Sequence, residues 1–330
     1  MTTARQRFPF AHLAAALTLG LAAAGPAHAQ TYPNKPIRLI VPFAPGGSTD
    51  IIARLVGERM ARVLGQPVVI ENRGGGGGSI GATEAARAAP DGYVLSVATV
   101  STMAVNPACN AKLPYDPLKD FAPITNLANT ANVVAVNPGL PAKTMDEFVD
   151  VLRKSPNKYS YGTSGPCSVN HLAGEAFREA TGTDIVHVPY RGSGPAVVDT
   201  VAGQVQILFD NIPSSMAQIE AGRLRPIAVA WPQRLESLPD VPTYAEAGYP
   251  QLNQPVWYGL LAPAGTPREV IDTVRDAAVK VLAQPDVIES LAKQGAAPSG
   301  NTPDEFAAEI KAQHAWAAEV ARKQGISLEQ

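Results

Sequence analysis

The chain has 330 residues, a net charge of −2 from 27 basic and 29 acidic side chains, and only two cysteines and five histidines. This balance, with no run of Lys or Arg, excludes a typical nucleic-acid-binding protein, and so few Cys and His residues argue against a metal centre built from them. Because single hydrophobic cores stop growing near ~250–300 residues, the length favours two domains.

The N-terminal segment is typical of a cleavable export signal. Arg5 and Arg7 supply a positive start, a mostly apolar stretch follows, and residues 27–29 (Ala-His-Ala) give the small-x-small cleavage pattern. We expect cleavage after Ala29 and a soluble mature protein in the periplasm. A membrane anchor is disfavoured because the apolar run is short and His12 interrupts it.

Short β-branched runs alternate with helical patterns in the next part of the chain. In order, the predicted elements are a strand at 37–43, a turn at 44–49, a helix capped by Ser48 or Thr49 and stopped by Gly65, a strand at 67–71, five glycines at 74–78, a helix at 80–89 and a strand at 93–98. This alternation is typical of an α/β domain.

A second series of the same kind begins at residue 132. Its predicted strands lie at 132–137, 159–162, 185–189, 205–209 and 224–230, and its helices at 146–154, from about 171 and from 195. A strand at 257–262 then returns to the first unit. We therefore predict two lobes, residues 30–130 with 251–330 and residues 131–250, one inserted into the other.

The predicted strand ends carry Gly, Ser and Thr in place of His, Asp and Lys. In open α/β sheets the ligand lies where strands end and helices begin. Backbone N–H groups and hydroxyls at helix N-termini suit an anion. The sequence therefore predicts an anion-binding cleft, with no metal or cofactor.

Two sequence patterns suggest catalysis, and neither is complete. Residues 76–81 match the dinucleotide pattern GxGxxG, but the acid that binds the ribose about twenty residues later is missing. Ser168 and His171 could form a nucleophile pair, although His171 more readily caps or lines a loop, so an exported serine hydrolase is a rival hypothesis.

Asp210 ends a strand and is either a partner for a ligand amine or hydroxyl, or a helix cap.

Ordered motifs along the mature chain resemble one family. They are Pro36–Arg38, Pro42–Asp50, Leu64–Arg73, Pro90–Tyr93, Tyr115–Pro117, Asp120–Phe121, His187–Gly192, Gly203–Val205, Pro239–Thr243 and Ala262–Pro267. In this order they are similar to the Bug-type periplasmic solute-binding receptors of tripartite tricarboxylate transporters. The resemblance covers essentially all of the mature chain.

The resemblance implies a type II-like Venus-flytrap fold, in which two lobes, each a mixed sheet flanked by helices, hold a small organic anion. The anion is a dicarboxylate, an amino acid or an aromatic carboxylate, delivered to membrane permease subunits; a sensor accessory to a two-component system is the alternative. We expect a monomer that is largely open before it binds. The implied ligand-binding residues are Ala44, Gly47, Ser48, Thr49, Asp50, Gly78, Ser79, Ser101, Thr102, Ser164, Gly165, Ser168, Tyr190, Gly192, Ser193 and Asp210.

The chain departs from the family pattern at the five-glycine run, where a GAGG-like loop is usual, and at Cys167, in a cleft loop of small residues. In an oxidising compartment Cys109 and Cys167 form either a disulfide or two separate thiols. The resemblance places Cys109 on the first lobe near the cleft. A bond between the two cysteines would therefore cross the lobes and lock them together.

Overall fold

The computed structural model describes residues 32–324. The predicted export signal and its cleavage after Ala29 lie outside the described residues. Internal contacts divide the chain into Met1–Asn34 and a second unit, Lys35–Gln330, which contains every strand named below. Among the described residues, no helix combines the length and the apolarity needed to cross a membrane.

A mixed six-stranded sheet forms the first lobe. Its strands are β1 (Ile37–Val41), β2 (Val68–Asn72), β3 (Val94–Thr99), β4 (Phe121–Thr130), β10 (Val256–Pro263) and β11 (Ala296–Pro298). They are hydrogen-bonded in the order β11-β4-β10-β3-β1-β2. β1 is parallel to β2 and β3, whereas β10 is antiparallel to β3 and β4. β1 and β3 are apolar along most of their length, as expected of strands buried on both faces.

The helices of this lobe are α1 (Ser48–Leu64), α2 (Ser79–Ala86), α3 (Asn106–Cys109), α8 (Arg268–Leu282), α9 (Pro285–Lys293) and α10 (Pro303–Gln324). α1 ends at Gly65 as predicted, with the left-handed φ of 69° that closes a helix. Its start differs from the prediction. Gly47 is the N-cap and no side chain caps the helix, because the Ser48 hydroxyl bonds elsewhere.

A mixed five-stranded sheet forms the second lobe. Its strands are β5 (Asn132–Val136), β6 (Ser160–Thr163), β7 (Val186–Pro189), β8 (Ile207–Asn211) and β9 (Arg225–Ala230), and its helices are α4 (Met145–Arg153), α5 (Val169–Thr181), α6 (Ser193–Val201) and α7 (Ile212–Glu220). The strand order is β7-β6-β8-β5-β9. β6 is parallel to β7 and β8, and β5 is antiparallel to β8 and β9.

The chain passes between the sheets at two places. One is Ala131, the single residue between β4 and β5. Its N–H donates to the Gly295 carbonyl oxygen (N to O, 3.1 Å), and its own carbonyl oxygen accepts the Ile212 N–H (3.0 Å). The other is the segment between β9 and β10, which includes the predicted crossing near Gln251. The exact lobe boundaries stay a prediction.

β4 and α7 are among the elements that the sequence analysis does not predict. β4 contains the fully buried polar side chains Thr125 and Asn126, which interrupt an apolar strand pattern. Asn301 satisfies part of this polar stretch: its Oδ1 accepts the Asn126 N–H (2.8 Å) and its carbonyl oxygen accepts the Thr125 hydroxyl (2.8 Å). α7 begins directly after β8, with no loop between them, and its start is marked only by the N-cap Asn211 and by Pro213 in the first turn.

Candidate functional site

Three helices begin at one cavity between the lobes. Their N-caps are Gly47 for α1, Ser168 for α5 and Gly192 for α6, and the first residues of each helix line the cavity. A helix N-terminus carries unpaired N–H groups and a partial positive charge. Three such ends at one cavity favour an anionic ligand.

The cavity has a volume of about 20 Å³, which is close to the space of one water molecule. Its lining consists of Phe43, Gly47, Ser48, Thr49, Thr99, Val100, Ser101, Ser164, Val169, Asn170, Ser193, Asn211, Val256, Trp257 and Tyr258. None of these described residues has a charged side chain. The cavity therefore offers an anion helix dipoles and neutral hydrogen-bond donors in place of a cationic side chain.

Direct hydrogen bonds between the lobes close the cavity. They run from the Ser48 hydroxyl to the Asn211 carbonyl oxygen (3.0 Å), from the Val169 N–H to the Ser101 hydroxyl oxygen (2.9 Å) and from the Ala44 N–H to the Arg191 carbonyl oxygen (3.1 Å). The sequence predicts a largely open protein. The structure instead is closed, because polar groups on the two rims bond each other.

The five-glycine run lets the two lobes approach backbone to backbone. Gly77 has a φ of 61°, and a Cβ atom there would lie 2.2 Å from the Pro166 carbonyl oxygen in the opposite lobe. Gly165 has a φ of 130°, and its Cβ would lie 3.1 Å from the Gly77 nitrogen. Glycine alone fits both the backbone conformation and the contact. The residues that match GxGxxG thus contribute to lobe contact.

Two buried donors at the cavity, Asn170 Nδ2 and Trp257 Nε1, have no hydrogen-bond partner within the described part of the chain. The Ser164 hydroxyl donates to Asn170 Oδ1 (2.8 Å), which leaves the NH₂ group as the unpaired side of that amide. An unsatisfied buried polar group costs about 1–3 kcal/mol. In the closed form, both donors lack an acceptor among the described residues.

The structure brings some of the predicted ligand-binding residues to the cavity. These are Gly47, Ser48, Thr49, Ser101, Ser164 and Ser193. The lining does not include Ala44, Asp50, Gly78, Ser79, Thr102, Gly165, Ser168, Tyr190, Gly192 or Asp210. The ligand-binding role of every residue in both sets stays a prediction.

Several residues outside the lining hold the loops in place. Burial opposes ionisation of Asp50, but hydrogen bonds from Arg54, the Gly46 N–H and Asn72 outweigh burial and lower the pKa of this carboxyl group. Hydrogen bonds hold two further side chains. The Thr102 hydroxyl donates to the Thr99 carbonyl oxygen (3.2 Å), and the Tyr190 hydroxyl donates to the Asp199 carboxylate (2.7 Å). Their contribution to the site is therefore to its shape.

Asp210 lies behind the cavity. Burial raises the pKa of its carboxyl group, and hydrogen bonds from Ser193, Ser214 and Ser215 offset part of that rise. The Ser214 hydroxyl donates to Asp210 Oδ2 at 2.6 Å. Because Ser193 lines the cavity and Asp210 does not, Asp210 orients a lining hydroxyl.

The contacts of Ser168 and His171 do not form a nucleophile pair. Ser168 Oγ donates to the Gly165 carbonyl oxygen (2.7 Å) and accepts the His171 backbone N–H (3.2 Å), as an N-cap does. The imidazole Nδ1 of His171 accepts the Cys167 N–H (3.2 Å). Its ring stacks on His187, with centroids 4.0 Å apart. The imidazole thus lacks the hydrogen bond to the Ser168 hydroxyl that the hydrolase hypothesis requires.

A larger cavity of about 440 Å³ lies beside the crossing segments. Much of its lining is apolar and includes Leu172 of α5, Phe209 of β8 and Trp316 of α10. Glu179 and Asp210 line it as well. Carboxyl groups and apolar walls disfavour an anion, so the small cavity at the helix N-termini is the better candidate despite its size.

The chain matches one protein family over most of its length. Residues 52–326 match the family model of the tripartite tricarboxylate transporter family receptor. Protein BugT of Bordetella pertussis (strain Tohama I) is 37% identical over 312 residues, which are 94% of this chain and 95% of that protein.

Solved structures share the fold over nearly the whole chain. One described as a periplasmic transporter is 67% identical with a TM-score of 0.89, covering 90% of this chain and 100% of that one. Rpa4515 of R. palustris with adipate is 35% identical with a TM-score of 0.87, covering 90% and 99%. MatC (Rpa3494) of Rhodopseudomonas palustris with bound malate is 33% identical with a TM-score of 0.84, covering 88% and 99%. The predicted two-lobed α/β fold is confirmed.

Proposed function

Because the chain belongs to the tripartite tricarboxylate transporter receptor family, we propose that it captures a small dicarboxylate between its lobes in the periplasm and delivers it to the membrane subunits of such a transporter. Members of this family are solute-binding receptors, so the prediction of a Bug-type binding protein, and not an enzyme, is confirmed. Export by a signal cleaved after Ala29 is part of the proposal.

The composition of the cavity lining carries this proposal. Three helix N-termini and two unpartnered buried donors, Asn170 Nδ2 and Trp257 Nε1, surround a space whose described lining has no charged side chain. Carboxylate oxygens accept hydrogen bonds from such donors, and helix dipoles stabilise their charge by about 0.3–1 kcal/mol each, up to ~2 when partly buried. A cationic or purely apolar solute gains neither interaction.

Two observations favour a diacid. The unpartnered donors lie on opposite lobes, Trp257 on β10 of the first and Asn170 on α5 of the second. A ligand with an acceptor group at each end can engage both, and a ligand adds to the stability of the closed form only if it touches both lobes. Adipate and malate, found with Rpa4515 and MatC, both carry two carboxylates.

Ligand uptake requires the lobes to part, since about 20 Å³ leaves no room for a diacid. On reclosure, ligand oxygens replace direct bonds between the rims. The Val169 N–H, now donated to Ser101, lies at the N-terminus of α5 and becomes available to a carboxylate. The closed form is then the one that the membrane subunits recognise.

Isothermal titration calorimetry with adipate and malate tests the proposal. We expect saturable one-site binding of at least one of them to the wild-type protein, without turnover. Trp257→Phe removes the Nε1 donor together with part of the indole ring, and should weaken binding about 10- to 100-fold, since a hydrogen bond to a charged group is worth about 1.5–3 kcal/mol.

Trp316→Phe is the matched control, because Trp316 lines the larger cavity and not the helix N-termini. It should bind the diacid with wild-type affinity. If neither diacid binds the wild-type protein, or if the two Trp variants bind equally well, the proposed site is wrong.

A further inference from the structure

Cys109 and Cys167, the only cysteines of the chain, meet from opposite lobes. Cys109 ends α3 of the first lobe, and Cys167 lies in the loop between β6 and α5 of the second. Both are free thiols, exposed to 3% and 1% respectively, and their proximity lowers the pKa of Cys109 and, together with burial, raises the pKa of Cys167. They belong to one cluster of buried, mostly apolar residues drawn from both lobes.

Hydrogen bonds on both sides fix the backbone around this pair. Cys167 has a φ of 52°, a left-handed conformation that a non-glycine residue keeps only where its surroundings impose it. Its N–H donates to His171 Nδ1 (3.2 Å) within the second lobe, and its carbonyl oxygen accepts from Asn106 Nδ2 (3.3 Å) of the first lobe. Asn106 begins α3 and Cys109 ends it, so the hydrogen bond across the lobes holds the Cys167 backbone beside the short helix that carries Cys109.

We propose that Cys109 and Cys167 form a reversible disulfide that locks the lobes closed and stops ligand exchange. The lock rests on the proposed function, because it matters only if the lobes part to take up a ligand. Two thiols held in contact are suited to thiol–disulfide exchange in an oxidising compartment. The locked protein keeps its cavity sealed, and reduction restores exchange.

The oxidant is an external disulfide, carried by a protein oxidoreductase or by oxidised glutathione. When the lobes part, one protein thiol loses its proton, and its sulfur attacks the external disulfide to give a mixed disulfide and one external thiol. On closure the second protein thiol loses its proton and attacks the protein sulfur of the mixed disulfide, which releases the second external thiol. The protein loses two electrons and two protons, and the external disulfide gains them.

Peptide mapping by mass spectrometry under non-reducing conditions tests the bond. We treat the purified protein with oxidised glutathione and expect a mass loss of two hydrogens and a peptide pair joined at Cys109 and Cys167, which dithiothreitol separates. Glutathione adducts without a joined pair, or full alkylation of both cysteines after this treatment, would overturn the proposal.

Calorimetry on the same samples tests the lock. We expect the reduced protein to bind adipate or malate, the oxidised protein to lose that binding, and dithiothreitol to restore it. The variant with both Cys109→Ser and Cys167→Ser should bind equally before and after oxidation. A disulfide-bonded protein that binds the diacid as the reduced protein does would overturn the lock.

Amide hydrogen exchange tests the lock without a ligand and without the double variant, so its result can be separated from that of the proposed function. Oxidation should slow amide exchange in the Gly77 and Gly165 loops, where the lobes meet. If the reduced protein binds no diacid, the proposed function fails, whereas a joined peptide with slowed exchange still supports the lock. Unchanged exchange in a joined protein contradicts it.

Discussion

His171 and His187 stack ring on ring in the second lobe, with their planes 11° apart. Burial, aided by the neighbouring His171, lowers the pKa of His187 to about 3, and burial also lowers the pKa of His171. The Thr163 hydroxyl lies 2.7 Å from His187 Nε2. At the scale of single residues, this pair of neutral imidazoles couples folding to pH.

We expect wild-type stability to fall as the pH drops from 6.5, the ordinary histidine pKa, to about 3. The unfolded chain binds a proton in this window that folded His187 does not, so acid favours unfolding by up to about 1.4 kcal/mol per pH unit. His187→Gln should therefore show a shallower dependence. Urea unfolding followed by Trp fluorescence measures both slopes, and parallel slopes would contradict the lowered pKa.

Single residues of the candidate site differ in how far the sequence predicts them. Ser48, Ser101 and Ser193 could be predicted, because hydroxyl groups that follow predicted strands reach the strand-end cleft. Asn170 and Trp257 could not, since residue type does not distinguish an unpaired donor from a satisfied one. The only signal at Asn170 is an amide in the first turn of a helix that follows a small-residue loop.

At the scale of elements, α5 packs against the second sheet through a glycine. A Cβ atom at Gly174 would lie 2.4 Å from Tyr161 Cε2. The Tyr161 ring is fully buried and its hydroxyl donates to Glu175, so it has no space to move aside. The close packing of α5 against β6 therefore requires glycine at position 174.

Gly174→Ala should destabilise the protein by about 1–3 kcal/mol, the usual cost of overpacking, although Ala favours a helix by about 1 kcal/mol. Gly57→Ala in α1 is the control. Its Cβ would lie 3.1 Å from Ile70 Cδ1, the end of a flexible side chain, so the change should be neutral or stabilising. Urea unfolding of both variants gives the comparison, and equal stabilities would contradict the packing argument.

Helices and strands with a clear pattern of apolar residues could be predicted from the sequence, whereas the order in which the strands pair could not. α1 has helical spacing and a glycine stop, and β1 is a short apolar run. β4 was not predicted, because two of its buried donors, the Thr125 hydroxyl and the Asn126 N–H, bond Asn301 far along the chain. The strand order follows from such distant contacts as well, which no local pattern encodes.

At the scale of the whole molecule, lobe closure depends on close backbone contact at the five-glycine run. Gly77→Ala would put a methyl group 2.2 Å from the Pro166 carbonyl oxygen, so we expect the variant to stay folded but to close incompletely. Its affinity for adipate or malate, measured by calorimetry, should fall at least about tenfold, because ligand contacts on both lobes are lost.

Gly182→Ala separates this effect from backbone strain. Gly182 has the same φ of 61° and nothing within 4 Å of its Cβ position, so both variants incur the left-handed penalty of about 1–2 kcal/mol. Similar unfolding temperatures with a large difference in affinity are expected. Equal affinities would mean that closure does not depend on the Gly77 contact.

The cavity lining without charged side chains has a consequence for how such receptors diversify. Duplicated genes can acquire a new nutrient by shifting a loop or exchanging one neutral side chain for another, with no reversal of charge in the binding site. Under the proposed function, receptors whose cavities are lined by almost the same residue types can therefore bind quite different acids.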